Sequence, residues 1–261
     1  MRIVVLVKHV PEPTATWSFA SDFTLDRGKV EGRLSELDEY AVEQAIRLVE
    51  GGLDAQITYL TVGPAKAVDG LRKALAMGGN KGVHVVDASM HGSDAVSTSL
   101  VLAKAAEKIG FDLLLTGMAS TDAEMSVVPA MVSDRLGVPQ VTFAGDLAVD
   151  AASGTDTIHP DGDGAVEEIQ GTLPAVVSVT DRTGQARYPS FKAIMAGKKK
   201  PVETWSLADL GVASSEVGAG AAGVVVKSLV VSPPRAAGTV VVDDGEGAVA
   251  IAEFLGARGF I

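Results

Sequence analysis

Residues 113–132 read LLLTGMASTDAEMSVVPAMV, an apolar run that ends at Gly117, crosses small and polar residues, and resumes an apolar helical spacing. A strand, a short loop and a helix entry in that order leave main-chain N–H groups without intrahelical acceptors. Beyond the carboxyl end of a parallel strand such groups receive an anion, and a nucleotide phosphate is the fitting chemistry. The plain alternative is a βα turn in which Asp122 or Ser126 caps the helix and binds nothing. This stretch alone leaves both readings open. G-x-G-x-x-G after the first strand and G-x-x-x-x-G-K-[ST] are absent, but a phosphate held by main-chain amides requires neither.

Two further stretches carry candidate chemistry. SELDEYAVEQA at 35–45 gathers Asp38, Glu39 and Glu43 behind Ser35. Carboxylates in the first turns of a helix complement its dipole, so a solvated helix start explains them better than acid–base catalysis does. YPSFKAIMAGKKK at 188–200 sets Tyr188, Phe191, Ile194 and Met195 against Lys198, Lys199 and Lys200. Such a ridge is usually core and such a lysine run usually solvated. The other reading is a docking surface, in which an exposed apolar anchor supplies affinity and positive charge steers an acidic partner. The four histidines (His9, His84, His91, His159) are scattered, and no serine has a histidine in motif context, so no triad is predicted. With no cysteine, the chain has no thiolate zinc site, iron–sulfur cluster or disulfide.

These candidates need a scaffold. RIVVLVK (2–8), AQITYLTVG (55–63), GVHVVD (82–87) and DLLLTG (112–117) read as strands buried on both faces, the first at the sheet centre. Helical spacing covers 37–50, 65–77, 94–109 and 124–137, and another strand starts at Gln140. The alternation predicts an α/β fold with a doubly wound, mainly parallel sheet. Residues 10–33 interrupt it, and DFTLDRGKVEG reads as a hairpin outside the sheet. From 141 to 180 an extra antiparallel section is expected, with a turn at DGDG (161–164) and a strand at LPAVVSV (173–179). The domain expectation is 1–212 as a nucleotide-binding α/β domain and 213–261 as a linker and C-terminal arm. DLGVASSEVGAGAAG has linker composition, and a strand VVVKSLVV, a PPR turn and a helix near 246–256 follow. A net charge of −11 over 261 residues argues against a nucleic-acid or anionic-membrane binder. MRIVVLVK is too short for a signal segment and no 18-residue apolar run occurs, so a cytoplasmic protein is expected.

Several of these stretches occur together, in order and almost end to end: VKHVPEP, LDEYAVEQAIRL, TVGPAKAVDGLRKALAMGGNKGVHV, LLTGMASTDAEMSVVPAMVSDRLGVPQ, DGAVEEIQGTLPAVVSV and RYPSFKAIMAGKKKPVETWSLADLGV. In them the chain resembles the electron transfer flavoprotein β-subunit family, whose sheet is of the adenine-nucleotide α-hydrolase type. The resemblance implies a noncatalytic partner of an α subunit that makes most contacts to one redox-active FAD. The β subunit would shield that flavin and bury an AMP of structural role. The implied AMP positions are Leu6; Ser35, Glu36, Leu37 and Asp38; and Val62. The loop adds Gly117, Met118, Ala119, Ser120, Thr121 and Asp122, then Ala123, Glu124, Met125, Ser126, Val127 and Val128. Ser126-Val127-Val128 stands where some relatives carry Asn-Gln-Thr, which leaves phosphate binding mainly to main-chain N–H groups. Pro13 stands where some relatives place an aromatic residue near the flavin, and Asp161, after Pro160, where an acidic residue pairs with an α-subunit arginine.

Residues 187–200 are similar to the family's recognition loop, whose central leucine enters a hydrophobic pocket on acyl-CoA dehydrogenases; Phe191 stands at that position. Lysines of this loop are methylated in some members, and Ala196 occupies one such position. The implied task is passing electrons from such dehydrogenases, as in fatty acid oxidation, to an electron transfer flavoprotein oxidoreductase, with the C-terminal arm wrapping the α subunit. Two alternatives stand beside it. One is a bifurcating member with a second FAD in place of AMP. The other is a stand-alone ATP-binding protein of universal-stress type, which would need a glycine-rich phosphate loop.

Overall fold

The computed structural model describes residues 1–150, 155–162, 165–236 and 238–261, with 155–162 and 165 as backbone alone. The chain opens with β1 (Arg2–Leu6), β2 (His9–Pro11), β3 (Gly32–Leu34) and α1 (Glu36–Glu50). It continues through β4 (Gln56–Val62), α2 (Val68–Met77), β5 (Lys81–Val85), α3 (Ala95–Ile109), β6 (Leu113–Gly117), α4 (Val128–Leu136) and β7 (Gln140–Asp150). Then come β8 (Thr155–Gly162), β9 (Ala165–Val166), β10 (Ile169–Thr172), β11 (Ala175–Val179), α5 (Phe191–Gly197), β12 (Val202–Trp205) and α6 (Gly247–Ala257).

Seven strands run parallel in the order β7-β11-β6-β1-β4-β5-β12, which puts the first strand in the middle, as its uninterrupted apolar run requires. Strands β8 and β10 extend the sheet antiparallel beyond β7, and β9 pairs with β8. Alternate residues of β1 serve opposite faces. Ile3 and Val5 pack with Tyr59 against α1 and α2, whereas Val4 and Leu6 pack with Leu60 and Val83 against α3 and α4. Each such side chain, fully buried, contributes about 1.5–3 kcal/mol. From β1 the chain winds outward through β4 and β5, then returns to β6 on the other side of β1. That reversal makes a switch point, and helices leaving in opposite directions open a crevice beyond the strand carboxyl ends.

Several expectations are corrected. The excursion after β1 is closed by a two-stranded ladder of β2 with β3, with one bridge between Phe19 and Leu25, rather than by a hairpin across 22–32. The turn inside that bridge is set by Asp22, whose carboxylate accepts from both Thr24 N–H and Thr24 Oγ1. Helix α4 begins at Val128 and not at 124, because Glu124 and Ser126 have φ of 51° and 56°. In the linker-like stretch 209–223, Leu210, Val212 and Val217 are buried in the core that faces α3. Composition there hid an alternation of small and anchoring residues. VVVKSLVV (224–231) is exposed and forms no strand, since none of the described strands accepts its N–H and C=O groups. Of the DGDG turn, Asp163 and Gly164 lie outside the described residues.

The chain divides into two compact units, Met1–Lys227 and Ser228–Ile261. The second holds α6, close to the expected 246–256. No helix among the described residues is long and apolar enough to cross a membrane.

Candidate functional site

A cavity of ≈ 350 Å³ lies at the carboxyl ends of β1, β4 and β6. Leu6 and Lys8 leave β1 into it, Val62 ends β4, and Thr116 and Gly117 end β6. Asp38 enters from the first turn of α1, and Asp94 and Thr98 from the start of α3, where Asp94 caps the helix by accepting from Ser97 N–H at 3.0 Å. The loop before α4 supplies Ala119, Ser120, Ala123, Met125, Ser126 and Val128, and Arg27 reaches in from the excursion. The volume lies at the low end of small-molecule sites.

The loop's backbone is the unusual part. Glu124 and Ser126 are left-handed while Val127 between Ser126 and α4 is right-handed. Such alternation turns successive N–H groups toward one side, an arrangement that receives anions. The N–H of Glu124 donates to Ser120 O at 2.9 Å, whereas those of Met125, Ser126 and Val127 meet no acceptor among the described residues. Pro129 follows in the first turn of α4, where a missing N–H costs nothing. Two non-glycine residues held left-handed cost about 1–3 kcal/mol each. The loop is over-determined by its surroundings rather than relaxed.

Those surroundings are ionic. Asp122, with 1% of its side chain exposed, accepts from Lys8 Nζ at 2.7 Å and from Arg27 Nη2, and Lys8 Nζ also donates to Ser120 Oγ at 3.2 Å. Burial by itself would raise the Asp122 carboxyl; the Lys8 ammonium and Arg27 guanidinium more than offset this and hold it at about 2. Asp38 is the opposite case. Burial pushes its carboxyl up to about 7, only partly offset by the N–H of Lys8, which donates at 2.8 Å, and by the N–H of Gly117.

Gly117 lets α1 approach that closely. A Cβ on it would stand 2.6 Å from Leu37 O and 2.7 Å from Asp38 Oδ1. Gly117→Ala should therefore cost about 2 kcal/mol by overpacking. That corresponds to a fall of about 4–8 °C in thermal midpoint, measurable by calorimetry. An unchanged midpoint would contradict the close approach.

Of the loop and helix positions expected at the site, Ser35, Glu36, Leu37, Met118, Thr121, Asp122, Glu124 and Val127 do not line the cavity. Several act from behind it. Asp122 anchors the two cations, Leu37 contributes its main chain beside Gly117, and Glu36 instead pairs with Arg33 at 3.0 Å. Ser35 Oγ and Thr121 Oγ1 are buried with no hydrogen-bond partner among the described residues. Sequence reading missed Lys8, Arg27, Asp94 and Thr98. Lys8 could have been found as the polar residue ending the first strand run; Arg27 had no signal, because it meets Asp122 across 95 residues.

Elsewhere in the same unit, Ser190 Oγ accepts from Ala193 N–H at 3.3 Å and starts the seven-residue α5. The ridge faces solvent: Tyr188 and Phe191 are 87% and 80% exposed, Met195 is exposed and Ile194 half-buried. Lys73 Nζ lies 4.5 Å from the centre of the Tyr188 ring. The lysine run divides. Lys198 and Lys199 are exposed, whereas Lys200 Nζ donates to Leu75 O and Gly78 O at 2.8 and 2.9 Å, satisfying carbonyls at the end of α2. Burial lowers the Lys200 ammonium below its ordinary value. Pro13 is exposed, and Asp161 pairs with Val166 through the backbone while its side chain lies outside the described residues.

Fold and site together define a doubly wound α/β protein with a crevice at the carboxyl edge of its parallel sheet, bordered by a loop of main-chain N–H groups that meet no acceptor among the described residues. Residues 22–210 match the family described as electron transfer flavoprotein domain. The chain is 41% identical to the electron transfer flavoprotein subunit beta of Mycobacterium tuberculosis strain H37Rv, over 100% of this chain and 99% of the relative. It is 33% identical to the protein of that name from Syntrophomonas wolfei, over 94% and 92% of the two chains. The chain belongs to the electron transfer flavoprotein family, in its β-subunit branch. Membership implies an electron carrier that works with flavin and an α subunit, and it sets aside the stand-alone universal-stress reading.

Proposed function

We propose that the chain is the β subunit of a heterodimeric electron transfer flavoprotein that takes electrons from flavin dehydrogenases such as acyl-CoA dehydrogenases and delivers them to an electron transfer flavoprotein oxidoreductase. In this reading FAD is held mostly by the α subunit, and AMP fills the crevice as a structural element. The observation that carries it is the set of amides at Met125, Ser126 and Val127 beside the cavity that meet no acceptor among the described residues. They suit a phosphate without a glycine-rich motif. Leu6, Val62, Leu102 and Val128 offer apolar walls for a purine, and a cavity of ≈ 350 Å³ suits a mononucleotide better than a whole dinucleotide. FAD, when bound, supplies the redox chemistry; this chain's residues grip the adenylate and present the docking anchor. Phe191 supports the second role because it is exposed on a short helix, and a small anchored contact separates quickly after transfer. The apolar exposure of Val230, Val231 and Phe254 in the C-terminal unit supports an arm that covers the α subunit.

Mass spectrometry of small molecules released from the co-expressed heterodimer tests the cofactor assignment. One FAD and one AMP per heterodimer are expected; two FAD and no AMP would replace this reading with the bifurcating one. For docking, Phe191→Ala should raise the KM for the carrier in a dehydrogenase-coupled assay by about 30-fold, as expected for a central anchor worth about 2 kcal/mol. Unchanged transfer at subsaturating carrier would remove the docking assignment.

A further inference from the structure

Arg187 stands immediately before the exposed ridge and is gripped by α1. Its main-chain N–H and its Nε donate to Glu43 Oε2 at 3.1 and 2.8 Å, and Nη2 donates to Glu43 Oε1 at 3.1 Å. Nη1 and Nη2 also donate to Glu50 Oε1 and Oε2 at 2.6 and 2.7 Å. Two carboxylates on one face of the helix thus hold a single guanidinium. Arg47, between them, donates Nε to Glu43 Oε1 at 3.0 Å and its two Nη groups to Thr183 O and Gln185 O at 2.7 and 2.9 Å. The approach to residue 188 is therefore stitched to α1 along its length.

The far end is fastened by a different chemistry. Lys200 Nζ occupies the carbonyls of Leu75 and Gly78, and Arg72 Nη1 donates to Gly197 O and Lys200 O at 3.2 and 2.7 Å. Between the two fastenings Tyr188, Phe191 and Met195 stay exposed, and of residues 188–199 only Pro189 and Gly197 are buried, so burial fixes the ends of the segment and little of the ridge it carries. A segment of this kind loses conformational freedom on docking unless something has already removed it. A guanidinium fork on carboxylates does so directionally, because two parallel N–H···O bonds fix angle as well as distance.

We propose that Arg187, held by Glu43 and Glu50, and Lys200, held by the carbonyls of α2, are positioning residues that preorganise residues 188–199 for docking on the electron-donating partner. The proposal rests on the docking reading given above. Neither side chain touches the partner; each acts through the segment between them. Lys200 is thereby separated in role from Lys198 and Lys199, which remain free to meet an acidic partner.

The test uses the full chain co-expressed with its α subunit, with Phe191→Ala as the docking control. Arg187→Met and Lys200→Met should each raise the KM for the carrier in the dehydrogenase-coupled assay five- to twentyfold, with kcat at saturating carrier held. Amide exchange over 188–199 should quicken by a similar factor while exchange in the sheet does not change. Arg187→Lys keeps the charge, loses the fork and is the readout should Arg187→Met fail to fold; a smaller rise in KM is expected from it. If Phe191→Ala raises KM and the Arg187 variants do not, the positioning role is overturned and docking survives. If Phe191→Ala itself has no effect, docking falls and this proposal falls with it.

Discussion

Asp122→Asn is expected to lower the thermal midpoint at pH 7 by about 4–8 °C, from a loss of about 2 kcal/mol. The amide removes the charge that Lys8 Nζ and Arg27 Nη2 share, and leaves two cations facing each other at the cavity wall. The loss is set below that of a fully buried pair because both cations are over a third exposed and solvent screens them. Its pH dependence identifies the cause. The folded carboxyl sits at about 2, below its ordinary 3.8, so its contribution is present above about pH 4 and fades as pH falls toward 2. Urea unfolding of parent and variant should therefore show a gap at pH 7 that narrows at pH 3. A gap of the same size at both would show that the ion pairs do not hold the loop.

Asp38→Asn is expected to behave in the opposite sense. The Asp38 carboxyl is raised from 3.8 to about 7, so the folded chain binds a proton that the unfolded chain has released. Stability at this site is fully present below about pH 4 and is lost as pH rises through 7, a change of up to about 4 kcal/mol. Asparagine cannot ionise, keeps one acceptor for the N–H of Lys8, and turns an amino group toward the space where the second oxygen accepted. The variant should be less stable than the parent at pH 4, by about 1 kcal/mol for the lost hydrogen bond. It should match or exceed the parent at pH 8. A difference that does not change across that range would mean that Asp38 ionises freely in the folded chain.

The scaffold was legible wherever burial leaves a one-dimensional trace. RIVVLVK has no polar residue between Arg2 and Lys8 because β1 is covered on both faces, and this alone placed it at the centre. Helix α3 was bounded to within a residue because Asp94 caps it and Gly110 ends it. What failed was set by tertiary partners. Residues 124–127 have side chains a helix would accept, yet the loop is bent by the Lys8–Asp122–Arg27 bridge, whose members lie far apart in sequence. VVVKSLVV has strand composition but nothing in the described residues to pair with. The ridge at 188–195 was undecided on spacing alone; only its surroundings turn it outward. Lys200 looked like its neighbours until α2 was seen to end against it.

One consequence follows from the grip of α1 on Arg187. The segment 188–199 is not a portable module. Grafted by itself onto a sister chain to redirect partner choice, it would leave Glu43, Arg47 and Glu50 behind and arrive without its mounting. A transplant has to carry that face of the helix along with the loop.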